Sequence, residues 1–138
     1  LIVSYVTSTE MAKMNFTGGN NVLWSGSGSY MGSNQSVNLD ENVSEQLNGI
    51  CLVWSAYSSG AAQNYEWFYQ FIPKDTILHN NGGAISSGIM TSASYMGMKI
   101  VYVNDSAISG HANNATTMTV AGISFTNNHW VLRYVLGV

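Results

Sequence analysis

Two apolar runs rich in aromatic residues flank a loop of small and polar residues between Asn48 and Lys74, and this stretch constrains the fold most. Side chains alternate between the two faces of a strand, and here both faces of both runs are largely apolar. In the first run Ile50, Leu52, Trp54 and Ala56 share one face of the strand; in the second run, taken separately, Trp67, Tyr69 and Phe71 share one face. The stretch therefore predicts a β-hairpin inside a two-layer β structure or at a subunit contact.

Similar β-prone runs, separated by turn signals, occupy the rest of the chain. A shorter run at Thr76 to His79 follows Pro73, and Asn80 to Gly83 forms a turn cluster. The last run, His129 to Val138, is apolar on both faces. In a lone monomer the outward-facing residues of such a strand should be polar, so this run predicts an oligomer. About ten strands and little helix predict an all-β fold, either an antiparallel β-sandwich or a barrel.

The composition favours one packed domain with a neutral surface. A length of 138 residues is typical of a single domain with one core. Only 8% of the residues are charged, whereas 46% are apolar and 12% are aromatic, which supplies the burial that a disordered chain lacks. Cys51, the only cysteine, lies within an apolar run and is predicted to be a buried thiol.

The charge balance limits the partners. Four Lys and Arg residues against seven Asp and Glu residues give a net charge of −3. Without a basic stripe, the chain is poorly suited to nucleic acid or to an anionic membrane, and neither is a predicted partner. The sequence also lacks a run of about eighteen apolar residues that would predict a membrane-spanning helix.

Several segments, in a fixed order, resemble a known family of domains. They are VLWSGS from Val22 to Ser27, NGICLVWSAY from Asn48 to Tyr57, NYEWFYQFIPK from Asn64 to Lys74, KIVYVNDSAISGHANN from Lys99 to Asn114, and WVLRYVLGV from Trp130 to Val138. Together they resemble the carboxyl-terminal receptor-binding head domain of tail-tip or baseplate proteins, also called tail fibre proteins, from phages and prophages of Gram-positive bacteria. The likeness covers most of residues 21–138. Residues 1–20 lie outside it and are interpreted as a neck or shaft remnant or an N-terminal strand.

The resemblance implies a function as well as a fold. It implies a compact, homotrimeric β domain at the distal end of a host-recognition fibre on the virion, in contact with other tail or baseplate proteins. Such a head attaches to cell-wall polysaccharide or teichoic-acid sugars without catalysis. A trimer would explain the strands that are apolar on both faces, and repeated heads on one virion would raise a weak affinity through avidity.

The loop from Asp105 to Asn114 is one candidate for the ligand surface. It gathers a carboxylate at Asp105, an imidazole at His111 and amides at Asn113 and Asn114, which suit the vicinal hydroxyls of a sugar. The alternative is structural: Asp105 caps its own turn, His111 holds the loop backbone, and the two amides adopt turn conformations. The sequence is compatible with both interpretations.

Aromatic residues around the hairpin loop are the second candidate. Tyr57, Tyr65 and Trp67 border this loop and can stack on the C–H face of a sugar. The alternative is that they belong to the core, as aromatic residues at alternating positions of a strand commonly do. Arg133, a single cation within an apolar strand, is predicted to pair across the sheet or at a subunit contact.

Other functional classes receive less support from the sequence. A purely structural tail or baseplate module, whose apolar faces serve only assembly, is the main alternative. A wall-polysaccharide hydrolase would need two closely spaced carboxylates, and Glu66 and Asp105 are the residues to test for this role. No cofactor or metal is predicted, because His79, His111 and His129 are widely spaced and match no zinc motif.

Overall fold

Antiparallel sheets dominate the computed structural model, which describes residues 21–138. In chain order the strands are β1 (Val22–Ser29), β2 (Ser36–Asn38), β3 (Gly49–Ser58), β4 (Ala61–Ala62), β5 (Phe68–Pro73), β6 (Gly83–Ile89), β7 (Gly97–Val103), β8 (Ala107–Ser109), β9 (Thr117–Val120), β10 (Ile123–Thr126) and β11 (Trp130–Gly137). The helical elements of the described chain are short: the 3-10 helices η1 (Val43–Glu45), η2 (Ala112–Ala115) and η3 (Asn127–His129), and the α-helix α1 (Asp75–Asn80). The predicted all-β class is confirmed.

The strands form two main sheets and a separate hairpin. Sheet A has the order β1-β11-β3, and both β4 and β5 pair with β3. Sheet B has the order β2-β8-β7-β6, and β9 and β10 pair with each other. All of these pairs are antiparallel, including pairs distant in the sequence such as β1 with β11 and β2 with β8.

The predicted hairpin is confirmed in sheet A, where β3 is a central strand and β5 an edge strand. Strand β3 pairs with β5, with Ile50 opposite Ile72 and Trp54 opposite Phe68. The other edge of β3 pairs with the closing strand β11. Pro73 is the last residue of β5, where its missing N–H does not interrupt the ladder.

The two sheets share one apolar core. Leu52 and Trp54 of sheet A and Val101 and Ile108 of sheet B are fully buried in the same cluster. A buried aliphatic or aromatic side chain of this size contributes roughly 1.5–3 kcal/mol to folding. The inner faces are therefore dry, and the outer face of sheet A, the face opposite this core, carries the second apolar row that the sequence predicted.

The buried face of sheet B includes a lysine. Lys99 is on the same face of β7 as Val101 and is fully buried. Its Nζ donates hydrogen bonds to the carbonyl oxygens of Tyr30 at 3.2 Å and Asn114 at 2.9 Å, and it lies 5.1 Å from the centre of the Trp54 ring. Burial lowers the pKa of Lys99 to about 7. The ammonium is thus held by carbonyl groups and an aromatic ring.

Two local predictions were wrong. The run Thr76 to His79 lies in α1 and not in a strand, because the chain turns after Pro73 and the hydroxyl of Thr76 donates to the Pro73 carbonyl oxygen at 2.9 Å. Cys51 is only half-buried, because it lies on the outer face of sheet A, opposite Phe71 of β5. The interpretation of residues 1–20 as a neck, a shaft remnant or a strand lies outside the described residues.

Candidate functional site

The aromatic residues of the hairpin loop lie at the surface and at the far end of β3. Tyr57 is half-buried and meets Tyr30 edge to face, with ring centres 5.0 Å apart. Tyr65 is 48% exposed. Trp67 is half-buried and stacks with Tyr134 of β11, with ring centres 6.5 Å apart. None of these predicted residues is fully buried, so each keeps surface that a ligand can contact.

Arg133 ties this loop to sheet A. Its Nη1 donates hydrogen bonds to Ser55 Oγ at 3.0 Å, to the Gln63 carbonyl oxygen at 3.1 Å and to Asn64 Oδ1 at 3.2 Å. The guanidinium carbon lies 5.3 Å from the centre of the Trp67 ring. The predicted cross-sheet contact of Arg133 is confirmed, but the oxygen atoms that hold the cation are neutral.

An apolar groove runs along the outer face of sheet A beside this arginine. It has a volume of about 230 Å³ and is lined by Val22, Val53, Trp67, Tyr69, Tyr134 and Leu136. Strands β1, β11, β3 and β5 supply five of these residues, which share one face through their register. We call this surface the Arg133 groove, because the guanidinium lies against two of its rings.

Asp105 links two separate elements of the fold. Its Oδ1 accepts a hydrogen bond from the backbone N–H of Ser44 at 2.8 Å, and its Oδ2 accepts one from the Ser44 hydroxyl at 2.9 Å. The turn that it was predicted to cap is instead capped by Asn104, whose Oδ1 accepts from the N–H groups of Ser106 and Ala107. Asp105 therefore joins the β7–β8 turn to η1.

His111 begins η2 and fixes its backbone. Its Nδ1 accepts a hydrogen bond from the N–H of Asn113 at 3.1 Å, and its ring centre lies 6.1 Å from that of Tyr102. The side chains of His111 and Asn113 are half-buried. Since the His111 N–H donates to the carbonyl of Met31, which follows Tyr30, the start of η2 lies at the same end of the fold as Tyr57.

Asn114 is a structural residue, and its prediction as a ligand contact needs correction. Its side chain is fully buried, with Oδ1 accepting from the N–H of Ile100 at 2.8 Å. Its Nδ2 donates to the carbonyl oxygens of Ile100 at 2.6 Å and Met31 at 2.7 Å. These three bonds use both polar atoms of the amide. The Asn114 side chain thus takes the place of a hydrogen-bonded strand beside Ile100 of β7. The predicted loop is thus divided, since β8 separates Asp105 from His111.

A second polar cluster was not predicted as a site. His129 Nε2 lies 2.8 Å from Glu66 Oε2, which also accepts a hydrogen bond from the Thr91 hydroxyl at 3.0 Å. Tyr95 stacks on the imidazole with ring centres 3.8 Å apart, and Trp130 Nε1 donates to Thr91 Oγ1 at 3.1 Å. The local signal is weak, because Glu66 and His129 are 63 positions apart. Glu66 has a φ of 54°, which fits a residue held by its partners.

These contacts show what the candidate hydrolytic residues do in the fold. Glu66 is paired with His129, and Asp105 is bonded through both oxygens to Ser44. Among the described side chains, no three His, Cys, Asp or Glu residues come together as a possible metal site. No helix within residues 21–138 is long and apolar enough to cross a membrane.

Comparison with protein-family models and with curated proteins finds no match to this chain.

Proposed function

We propose that the chain is the receptor-binding head of a phage tail, which attaches to cell-wall saccharides of a Gram-positive host without catalysis. The observation that carries the proposal is the Arg133 groove: aromatic rings lie beside polar loop atoms on a surface with few charges. Sugars are bound in this way, with C–H faces on aromatic rings and hydroxyls on amide and carbonyl groups. The sequence resemblance supplies the tail location and the host class.

The polar side of the groove is preorganised. The carbonyl of Gln63 and the side-chain oxygen of Asn64 are both fixed by Nη1 of Arg133. The amide of Gln63 in turn donates to the carbonyl oxygens of Ser58 at 2.9 Å and Ala61 at 3.2 Å. A loop held in this way loses little conformational entropy on binding, which favours weak ligands such as single sugars.

The proposed head is a homotrimer. Tyr69 and Phe71 on β5 are 61% and 55% exposed, and both point from the outer face of sheet A, where Val22 is also exposed. Exposed apolar rows of this kind are typical of surfaces that associate. A second copy of the same chain is the expected occupant, because β5 lies at the edge of sheet A and presents the same row in every copy. Since Val22 and Tyr69 also line the Arg133 groove, the groove of the proposed trimer lies at the contact between two copies.

The proposal is tested by decorating bacteria with fluorescently labelled protein. We expect the label to bind walls of a susceptible Gram-positive strain, and Trp67→Ala to lower binding by about tenfold through the lost ring contact. Leu78→Ala is the matched control, because Leu78 is exposed and does not line the groove. Failure of the wild-type protein to decorate any susceptible wall would overturn the proposal.

The same apolar face favours one other function, that of a structural tail or baseplate module. In that role Tyr69 and Phe71 serve only assembly, and the groove has no ligand. Trimers that form normally but decorate no wall would favour this second function. Release of reducing sugar from purified wall polymer, abolished by Glu66→Gln, would instead favour a hydrolase.

A further inference from the structure

We infer that Glu66 is a positioning residue of the Arg133 groove, because it anchors the neighbouring Trp67 ring to a polar cluster outside the groove. This inference rests on the proposed function, since it takes the groove as the ligand surface. Trp67 lines the groove, whereas Glu66 and its contacts do not. We call these residues the Glu66 cluster, which consists of Glu66, Thr91, Tyr95 and His129.

The first evidence is the backbone conformation of Glu66. Its φ of 54° lies in the left-handed region, which is unfavourable for a residue with a Cβ atom. Ser59 and Ala121 also have a positive φ, but each precedes a glycine in a two-residue hairpin turn that requires it. Met31, the other such residue of the described chain, is fully buried. Glu66 lies in no hairpin turn of this kind, so we attribute its conformation to its side-chain contacts.

The second evidence is the set of contacts that holds the Glu66 carboxylate. Oε2 accepts a hydrogen bond from the Thr91 hydroxyl at 3.0 Å and lies 2.8 Å from His129 Nε2. Tyr95 covers the imidazole, with ring centres 3.8 Å apart. Thr91 lies between β6 and β7, and His129 is the last residue of η3. Elements distant in the sequence therefore hold Glu66 in place.

The third evidence is the position of Trp67 in the chain. Trp67 lies between Glu66 and the first residue of β5, Phe68. Before Glu66, the loop is held by the Tyr65 carbonyl oxygen, which accepts from the N–H of Ala56 at 3.1 Å. The Glu66 side chain is thus the loop anchor next to Trp67. Without this anchor, the Trp67 ring loses its fixed position in the groove wall.

The variant Glu66→Gly isolates the anchor, because glycine adopts a positive φ without strain but has no side chain. With labelled full-length chain on bacterial walls, we expect Glu66→Gly to lower binding about tenfold, as Trp67→Ala does. The variant with both changes should also lose about tenfold, whereas independent effects would give about a hundredfold loss. Unchanged binding in Glu66→Gly, or independent losses in the double variant, would overturn the inference.

Two further variants control for the loss of a carboxylate. In Glu66→Gln the side-chain oxygen can still accept from Thr91, so binding should stay within about threefold of the wild type. Glu45→Ala removes a carboxylate that accepts a backbone hydrogen bond from Asn42 at 3.2 Å and does not line the groove. It should leave binding unchanged. A tenfold loss in either variant would overturn the inference.

NMR measures the position of Trp67 without a ligand. We expect the indole N–H signal of Trp67, assigned with Trp67→Phe, to shift in Glu66→Gly and to return in Glu66→Gln. Trp130 is the internal comparison, because its Nε1 donates to Thr91 Oγ1 at 3.1 Å. A shift at Trp130 with none at Trp67 would overturn the inference, because the cluster would then act only on the core. If Glu66→Gly does not fold, His129→Phe takes its place, since it keeps a ring against Tyr95 and removes the contact with Glu66.

The inference and the proposed function fail separately. Wild-type protein that decorates walls, with the Trp67 signal unchanged in Glu66→Gly, would reject the inference and leave the receptor-binding function standing. Wild-type protein that decorates no wall, with the Trp67 signal shifted in Glu66→Gly, would reject the function and leave the anchoring of Trp67 standing.

Discussion

Nζ of Lys99 lies 2.9 Å from the carbonyl oxygen of Asn114, in the closed space between the two sheets. The Asn114 side chain also forms hydrogen bonds with the backbone of Ile100, on the strand that carries Lys99. This relationship joins η2 to β7. It also places the ionisable amine of Lys99 in the core, so the free energy of unfolding depends on pH.

Stability should rise with pH above neutrality because of Lys99. Burial lowers its pKa from 10.5 to about 7 in the folded protein, so the unfolded chain binds more protons between these values. The contribution of Lys99 to the free energy of unfolding is complete above its pKa in the unfolded chain. This contribution is lost as the pH falls through its pKa in the folded protein. From pH 6.5 to 8.5 the free energy of unfolding should increase by about 2 kcal/mol in urea melts. Lys99→Met should remove this increase, and an equal slope in both proteins would contradict the assignment.

Asn114→Ala should strongly destabilise the protein. The substitution leaves the buried N–H of Ile100 and the carbonyls of Ile100 and Met31 without their partner. Each unsatisfied buried group costs roughly 1–3 kcal/mol, so we expect a loss of about 3 kcal/mol in urea melts. Asn113→Ala is the matched control, since no hydrogen bond joins its side chain to a described residue, and it should cost less than about 0.5 kcal/mol. Similar losses of stability in both variants would contradict the role of the Asn114 side-chain hydrogen bonds.

Asp105→Ala should lower stability and leave wall binding unchanged. Both carboxylate oxygens accept from Ser44, so the substitution detaches η1 from the β7–β8 turn. Since the site is partly exposed, we expect a loss of about 1 kcal/mol. Ser44→Ala, which removes one of the two bonds, should cost less. Weaker decoration of walls by Asp105→Ala, with thermal stability unchanged, would contradict this prediction and indicate that Asp105 contacts the ligand.

Phe71→Ser together with Tyr69→Ser should convert the trimer to monomer. These side chains are the most exposed apolar groups of β5, and their removal deletes the proposed contact without opening a cavity in the core. Sedimentation velocity at micromolar concentration measures the change, with Leu78→Ser as a control on another exposed apolar residue. A wild-type protein that sediments as a monomer would contradict the trimer itself.

Local sequence patterns predicted the strands well and the site only in part. The alternation in β3 and β5 placed Leu52 and Trp54 on one face and identified the hairpin. The roles of Asp105 and Asn114 were not predictable, because their partners Ser44 and Met31 are 61 and 83 positions away. Polar residues in turns look alike in a sequence whether they bind a ligand, cap a turn or bridge distant elements.

The sequence by itself determined the class of fold, because a period of two in apolar residues favours extended strands whatever their neighbours are. It also determined that both faces of the central strands are apolar. Only the tertiary structure decided which face is covered by sheet B and which stays open around Arg133. The physical reason is that alternation groups side chains by face, whereas burial and hydrogen bonding depend on strands distant in the sequence that pack against that face.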